Sequence, residues 1–409
     1  MGTRKRHADS PTKLLFFIAH RTKIEVEGQN LSLTLHLLKP KTMKRILLLL
    51  MVLASVCATP AQKPGDILSL ARRVNDYFTA QNPDPTKPTF VKRQRSSNLW
   101  TRAVYYEGLM ALYSIDPQKT YLDYTDRWGA FHKWTARSSE ENTNADNQCC
   151  EQTYIDRFMM TKDTAMINPT RRNLDHQMST GRVDYWWWID AIQMAMPVYA
   201  KFSKTTGDRK YIDYAMRCYR DSRDRRALFN IPEGLWWRDS VYKAPYKEPD
   251  GRNCYWSRGN GWVYAALVRV METLSPDDPY YKELEKDYLL MTFALASAQR
   301  HDGYWNASLV SSNYAGPEMT GTALFLYGMA WGIRNGILPA GTYRPICDKA
   351  WKAIAACVHK NGFIGYNQGT GADPSTGQPV TFNSVPDFED YGTGCWLLGA
   401  SEYFKLIGK

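Results

Sequence analysis

Residues Lys204–Tyr214 read KTTGDRKYIDY, a short Gly-Asp turn followed at once by a Tyr-bearing amphipathic helix start. The same design returns as SIDPQKTYLDY at Ser114–Tyr124 and LSPDDPYYKEL at Leu274–Leu284, each with Asp, Pro or Gly punctuation before the helix. Outward from these joints, apolar or aromatic-rich stretches at about 98–114, 146–160, 184–201, 257–273, 318–335 and 390–407 alternate with more amphipathic ones at about 119–135, 162–178, 208–223, 279–299 and 343–358. A helix pattern at about 65–81 supplies the sixth amphipathic partner. Six apolar helices inside and six amphipathic ones outside close a ring, so the expected fold is all-α, an (α/α)6 barrel of six helical hairpins. An open solenoid is the alternative, and the even pair count argues for closure. Longer connections run the other way. EGLWW at Glu233–Trp237, DGYW at Asp302–Trp305 and NGFIGY at Asn361–Tyr366 share a polar residue, Gly and aromatics, which predicts equivalent loops around the mouth of a central funnel.

The first part of the chain reads differently. Met43-Lys44-Arg45, the apolar run Ile46–Val56 and then Cys57-Ala58-Thr59-Pro60-Ala61 have the pattern of a secretory signal. The expected organisation is therefore a leader with a signal at about 43–58 inside residues 1–61, followed by a single catalytic domain over 62–409, exported to the periplasm or outside the cell. The apolar run is short for a bilayer span, so no stable membrane insertion is expected after cleavage. Residues 1–58 carry ten Lys/Arg against three Asp/Glu, so most of the net charge of +11 belongs to the leader and a nucleic-acid partner loses its support. Seven cysteines follow residue 58 without metal-ligand spacing, and the histidines show none either, so neither a metal nor a cofactor is expected.

Fourteen Trp and 26 Tyr in 409 residues favour a sugar-handling protein, because aromatic faces cover pyranose C–H surfaces while their polar tips meet hydroxyls. WSRGNGW at Trp256–Trp262 concentrates this chemistry: two indoles, the guanidinium of Arg258 as a bidentate carboxylate partner, and glycines that admit a ligand close to the backbone. Asp190 lies in DYWWWIDAIQMAMP (Asp184–Pro197), a helix pattern opening on three tryptophans that include Trp188. A carboxyl beside indoles is desolvated and its pKa rises, so Asp190 is the expected general acid. Asp146, in TNADNQCCEQTYIDRF, sits where a polar stretch turns helical; it reads equally as an N-cap and as a second carboxylate facing the mouth.

In this order, NADNQCCEQTYID, WWWIDAIQMAMP, YWSRGNGW, the DGYW loop and EMTGTALFLYGMAWGIRNGIL (Glu318–Leu338) resemble glycoside hydrolase families 88 and 105, the unsaturated uronyl hydrolases, and most of all the rhamnogalacturonyl hydrolases of family 105. The resemblance runs from about Asn98 to the C-terminus. It implies removal of a 4,5-unsaturated uronic acid from the non-reducing end of lyase-generated oligosaccharides: a proton reaches C4, water adds at C5, and the resulting hemiketal opens with loss of the glycosidic bond. Asp190 then matches the acid/base and Asp146 the second carboxylate, while Trp256, Arg258 and Trp262 match the set lining the uronyl subsite. Two departures stand out: Asn147 replaces a second Asp, and Trp236, Trp237 and Arg238 stand where a substrate-contacting His often occurs, which puts Trp236 and Arg238 among the expected sugar contacts. The competing readings are an inverting hydrolase of a saturated glycoside and a non-catalytic glycan-binding toroid.

Overall fold

The computed structural model describes residues 62–90 and 94–408; the leader and signal expected over residues 1–61 lie outside the described residues. Gln62–Lys409 form one compact unit. Its helices are α1 Pro64–Gln81, α2 Trp100–Tyr113, α3 Lys119–Phe131, α4 Ala145–Gln148, α5 Glu151–Thr161, α6 Asn168–Ser179, α7 Asp190–Thr206, α8 Lys210–Arg220, α9 Ser257–Met271, α10 Pro279–Ala298, α11 Met319–Arg334, α12 Ala340–Ala356 and α13 Asp390–Ile407.

Burial sorts them into two rings. Every residue of α9 is buried, and so is nearly every residue of α11 and α13, as their lack of a polar face requires. α8 instead buries one stripe, including Tyr211, Tyr214, Ala215, Cys218 and Tyr219, and turns its charged residues outward. The inner ring runs α2, α4/α5, α7, α9, α11, α13, each packed on the next, and closes where α13 packs against α2. That contact needs glycine on both sides: a Cβ on Gly108 would sit 2.6 Å from the Gly394 carbonyl oxygen, and one on Gly394 would overlap the Val104 carbonyl. The (α/α)6 barrel is therefore closed, as the pairing of apolar and amphipathic segments predicts.

The long connections all lead into N-termini of inner helices. Two-stranded hairpins precede α2 (β1 Thr89–Phe90, β2 Gln94–Arg95), α9 (β3 Phe229–Asn230, β4 Leu235–Trp236) and α11 (β5 Trp305–Asn306, β6 Pro317–Glu318), and residues 366–389 lead into α13. The positive ends of the inner helix dipoles thus converge on one mouth, a setting that favours an anionic ligand. Midway down the axis lies a buried polar layer. Glu107 accepts from Gln193 Nε2 at 2.8 Å and pairs with Arg269 Nη1 at 3.2 Å, and Arg269 Nε donates to Gln152 Oε1 at 3.0 Å.

The seven cysteines from Cys149 to Cys395 are free and buried, packed as small apolar residues. One boundary differs from expectation. The tryptophans of Trp186–Trp188 precede α7 instead of opening it, so their rings diverge: Trp186 and Trp188 turn inward, while Trp187 is 49% exposed. Among the described residues no helix is long and apolar enough to cross a membrane.

Candidate active site

Asp190 is the first residue of α7, and its side chain is 13% exposed at the mouth. Burial raises its pKa, against the opposing fields of Arg238 and Arg258. Asp146 belongs to α4, whose N-cap is Asn144: the Asn144 side chain accepts from the Asp146 amide at 2.9 Å. The capping expected of Asp146 is thus done by its neighbour, and the Asp146 carboxyl is left for other work. Its pKa is pushed up to about 7, first by burial and then by the negative charge of Asp190, with Arg238, Arg95 and Arg137 opposing. The two carboxyls feel each other, and the pair holds a proton near neutral pH. Arg238 Nε lies 3.3 Å from Asp190 Oδ2 and favours the charged form of that carboxyl. The direction expected of Asp190 from desolvation holds, and Asp146 is raised beside it.

Arg238 is placed by backbone as well as side chain. Its carbonyl accepts from the Ile189 amide at 2.9 Å, which ties the segment after β4 to the residue preceding Asp190. Its Nη1 donates to Asp239 Oδ2 at 2.6 Å, and the side chain remains 18% exposed beside the face of Trp187, 5.8 Å from the ring centroid. Asn147, at the position where the resemblance suggests an Asp, turns away and accepts from Arg137 Nη1 at 2.9 Å.

Arg258 is not the open fork that its motif suggests. It is fully buried between the rings of Trp256 (4.5 Å) and Tyr391 (5.0 Å), with Nη1 donating to the Gln368 carbonyl and Nη2 to the Gly369 carbonyl, each at 2.8 Å. Trp256 Nε1 donates to Gln368 Oε1 at 2.9 Å, and the Tyr391 hydroxyl donates to the Gln368 carbonyl. The motif therefore clamps the loop 366–389 to the mouth, and Arg258 reaches Asp190 only through its field. Trp262 is also fully buried, edge-on to the half-buried Trp100 at 6.3 Å, so it backs the mouth wall without presenting an open face. Trp236 is a core residue: it lies directly opposite Phe229 across the β3–β4 pair and stacks on it at 4.8 Å. Trp188 packs on Trp187 at 4.7 Å, and the exposed ring is that of Trp187.

Sequence reasoning missed Trp187, Trp100, Arg95 and Arg137. Trp100 had a usable signal, since it opens an inner helix as Asp190 does; the two arginines had none, because the β1–β2 hairpin and the connection before α4 bring them near Asp146 only in the folded chain. Among the described residues no group of three or more His, Cys, Asp or Glu is placed to hold a metal ion.

A carboxyl pair beside an arginine and an exposed indole, at the mouth of a six-hairpin barrel, is an arrangement suited to acid–base chemistry on a sugar. The chain belongs to glycosyl hydrolase family 88, whose model matches residues 70–407. It is 31% identical over 332 residues to an unsaturated 3S-rhamnoglycuronyl hydrolase of Formosa agariphila, covering 75% of this chain and 84% of that one. An enzyme of the same name from an Alteromonas species is 31% identical over 341 residues, 76% of this chain and 78% of that one. A solved family 88 glycosyl hydrolase from Bacteroides vulgatus superposes with a TM-score of 0.77 at 32% identity, covering 84% of this chain and all of that one.

Proposed function

We propose that this enzyme removes a 4,5-unsaturated uronic acid from the non-reducing end of lyase-generated oligosaccharides, with a rhamnose next in the chain as in the named substrates of its relatives. The observation that carries the reading is the buried carboxyl pair at the mouth, the pKa of Asp146 raised to about 7 by burial and by the charge of Asp190, with Arg238 Nε 3.3 Å from Asp190 Oδ2. A vinyl ether needs a proton donor that still holds its proton near neutrality, and a lone exposed carboxyl does not. The uronate carboxylate binds Arg238, the partly exposed guanidinium beside the pair, which draws its charge away from Asp190 and so strengthens that carboxyl's hold on a proton. Asp190 then protonates C4 and positive charge develops over C5 and the ring oxygen. Water, held by the Asp146 carboxylate, adds at C5 and gives up its proton to that carboxylate. The hemiketal at C5 opens, and the anomeric carbon releases the neighbouring sugar as a free alcohol. Trp187 offers its face to that leaving sugar.

The test is a time course with an unsaturated uronyl-rhamnose disaccharide, which loses its ultraviolet enol absorbance on hydration. Asp190→Asn lowers kcat by about 10²–10⁴-fold, the usual share of a positioned acid. Undiminished loss of absorbance in that variant overturns the assignment, and turnover of the saturated disaccharide alone overturns the reaction. We further read the segment at about 43–58 as an export signal; N-terminal sequencing of the protein recovered from outside the cytoplasm, beginning near residue 59, is the outcome this requires.

A further inference from the structure

We propose that the end of the barrel opposite the mouth holds a second binding site, for a neutral, hydroxylated ligand of about monosaccharide size. A cavity of about 390 Å³ opens there on the axis, within the range of small-molecule sites, and every inner helix contributes to its lining through its C-terminal half. Glu107 and Arg269, members of the buried polar layer, form its floor and separate it from the catalytic pair.

Its lining carries four acidic and four basic side chains, so no excess charge calls for an ion as the occupant. Lys201 is held by both oxygens of Asp156 at 2.8 and 2.7 Å, Lys405 lies 3.4 Å from Glu402, and Lys204 donates to the Glu272 carbonyl at 2.9 Å. Lysines at helix C-termini are what the dipoles there ask for, so acids and helix ends together already neutralise the bases. What is left over is hydrogen-bonding capacity without charge. Ser401 is 1% exposed, lines the cavity from α13, and its Oγ has no partner among the described residues, although a hydroxyl both donates and accepts. The buried phenol of Tyr327 lines the same space from α11, and Met110 and Leu398 provide apolar surface for the C–H face of a ring. Hydroxyl partners that work both ways beside apolar surface suit a neutral sugar, and the site stands or falls independently of the reaction at the mouth.

Isothermal titration of the full chain with methyl α-L-rhamnopyranoside and methyl α-D-glucopyranoside tests it. Saturable binding of one of them is expected, weakened about fivefold or more by Ser401→Ala and by Tyr327→Phe, the scale of one lost hydrogen bond. Trp187→Ala, at the opposite end, leaves that affinity in place. Turnover of the unsaturated disaccharide by the two hydroxyl variants reports that they are folded. A wild-type crystal soaked with the bound glycoside shows the sugar against Ser401 Oγ whatever the variants do. No saturable binding, loss of binding in Trp187→Ala alone, or only water against Ser401 overturns the second site. Binding that persists in a protein without turnover overturns the hydrolase reading instead.

Discussion

Arg238 is the residue on which the protonation of the site turns. Its charge opposes the rise of both carboxyl pKa values, so its removal raises them further. Wild-type kcat/KM is expected to fall as pH rises through about 7, where Asp146 releases its proton, and in Arg238→Ala this alkaline limb moves to higher pH while KM rises. A pH–rate profile measures both, and a limb that stays in place removes Arg238 from the site's electrostatics. Asp146 carries a stability consequence of the same shift. Its folded pKa is about 7 against an ordinary value of 3.8, so between those values the native state binds more protons than the unfolded chain. Stability therefore falls as pH rises through that window. Asp146→Asn, which cannot ionise, is expected to melt above wild type at pH 8, with the gap closing toward pH 4. Thermal melts across that range decide it; a gap that widens toward acid contradicts the burial penalty.

At the scale of elements, the WSRGNGW turn and the loop 366–389 act as one unit. Four bonds from Trp256, Arg258 and Tyr391 converge on Gln368 and Gly369, and the Tyr242 hydroxyl adds a link to Asp373 Oδ2 at 3.0 Å. Arg258→Lys keeps the charge but cannot reach two carbonyls with a planar fork. Limited proteolysis is expected to cut within 366–389 faster in that variant, with the alkaline limb of activity little moved because the charge beside Asp190 survives. Cleavage at the wild-type rate would return Arg258 to a purely ligand-facing role. A sequence motif shared by a family is thus compatible with two physical jobs, gripping a substrate or holding a wall, and only the partners of the guanidinium distinguish them.

The whole molecule depends on closing the inner ring at α2 and α13. Gly394→Ala places a methyl group against the Val104 carbonyl where backbone meets backbone, so the strain cannot be relieved by a rotamer change. A loss of about 1–3 kcal/mol is expected from such overpacking, read as a lower Tm and a lower urea midpoint. An unchanged midpoint would mean that the ring tolerates opening at this seam. Closure also gives the protein two ends of opposite character: helix N-termini with the carboxyl pair at the mouth, and helix C-termini with neutralised lysines at the base. The buried Glu107–Arg269–Gln152–Gln193 layer keeps the two apart.

Hydrophobic periodicity by itself determined the six hairpins, which helices are inside, and which end carries the long loops, because those properties follow from how many faces of a helix avoid water. Local context marked Asp190 by its flanking indoles and Asp146 by its place at a helix start, and the motif resemblance added the roles of both. Which aromatic and basic side chains accompany them was decided only in three dimensions. Trp187 and Trp188 are adjacent in the chain and differ by one backbone turn, yet one ring meets solvent and the other the core. Arg258 and Arg238 are equivalent in chemistry, and their roles separate because one finds two backbone carbonyls within 2.8 Å and the other finds a carboxylate and open space. Contacts of that kind join residues tens to more than a hundred positions apart, and no local pattern encodes them.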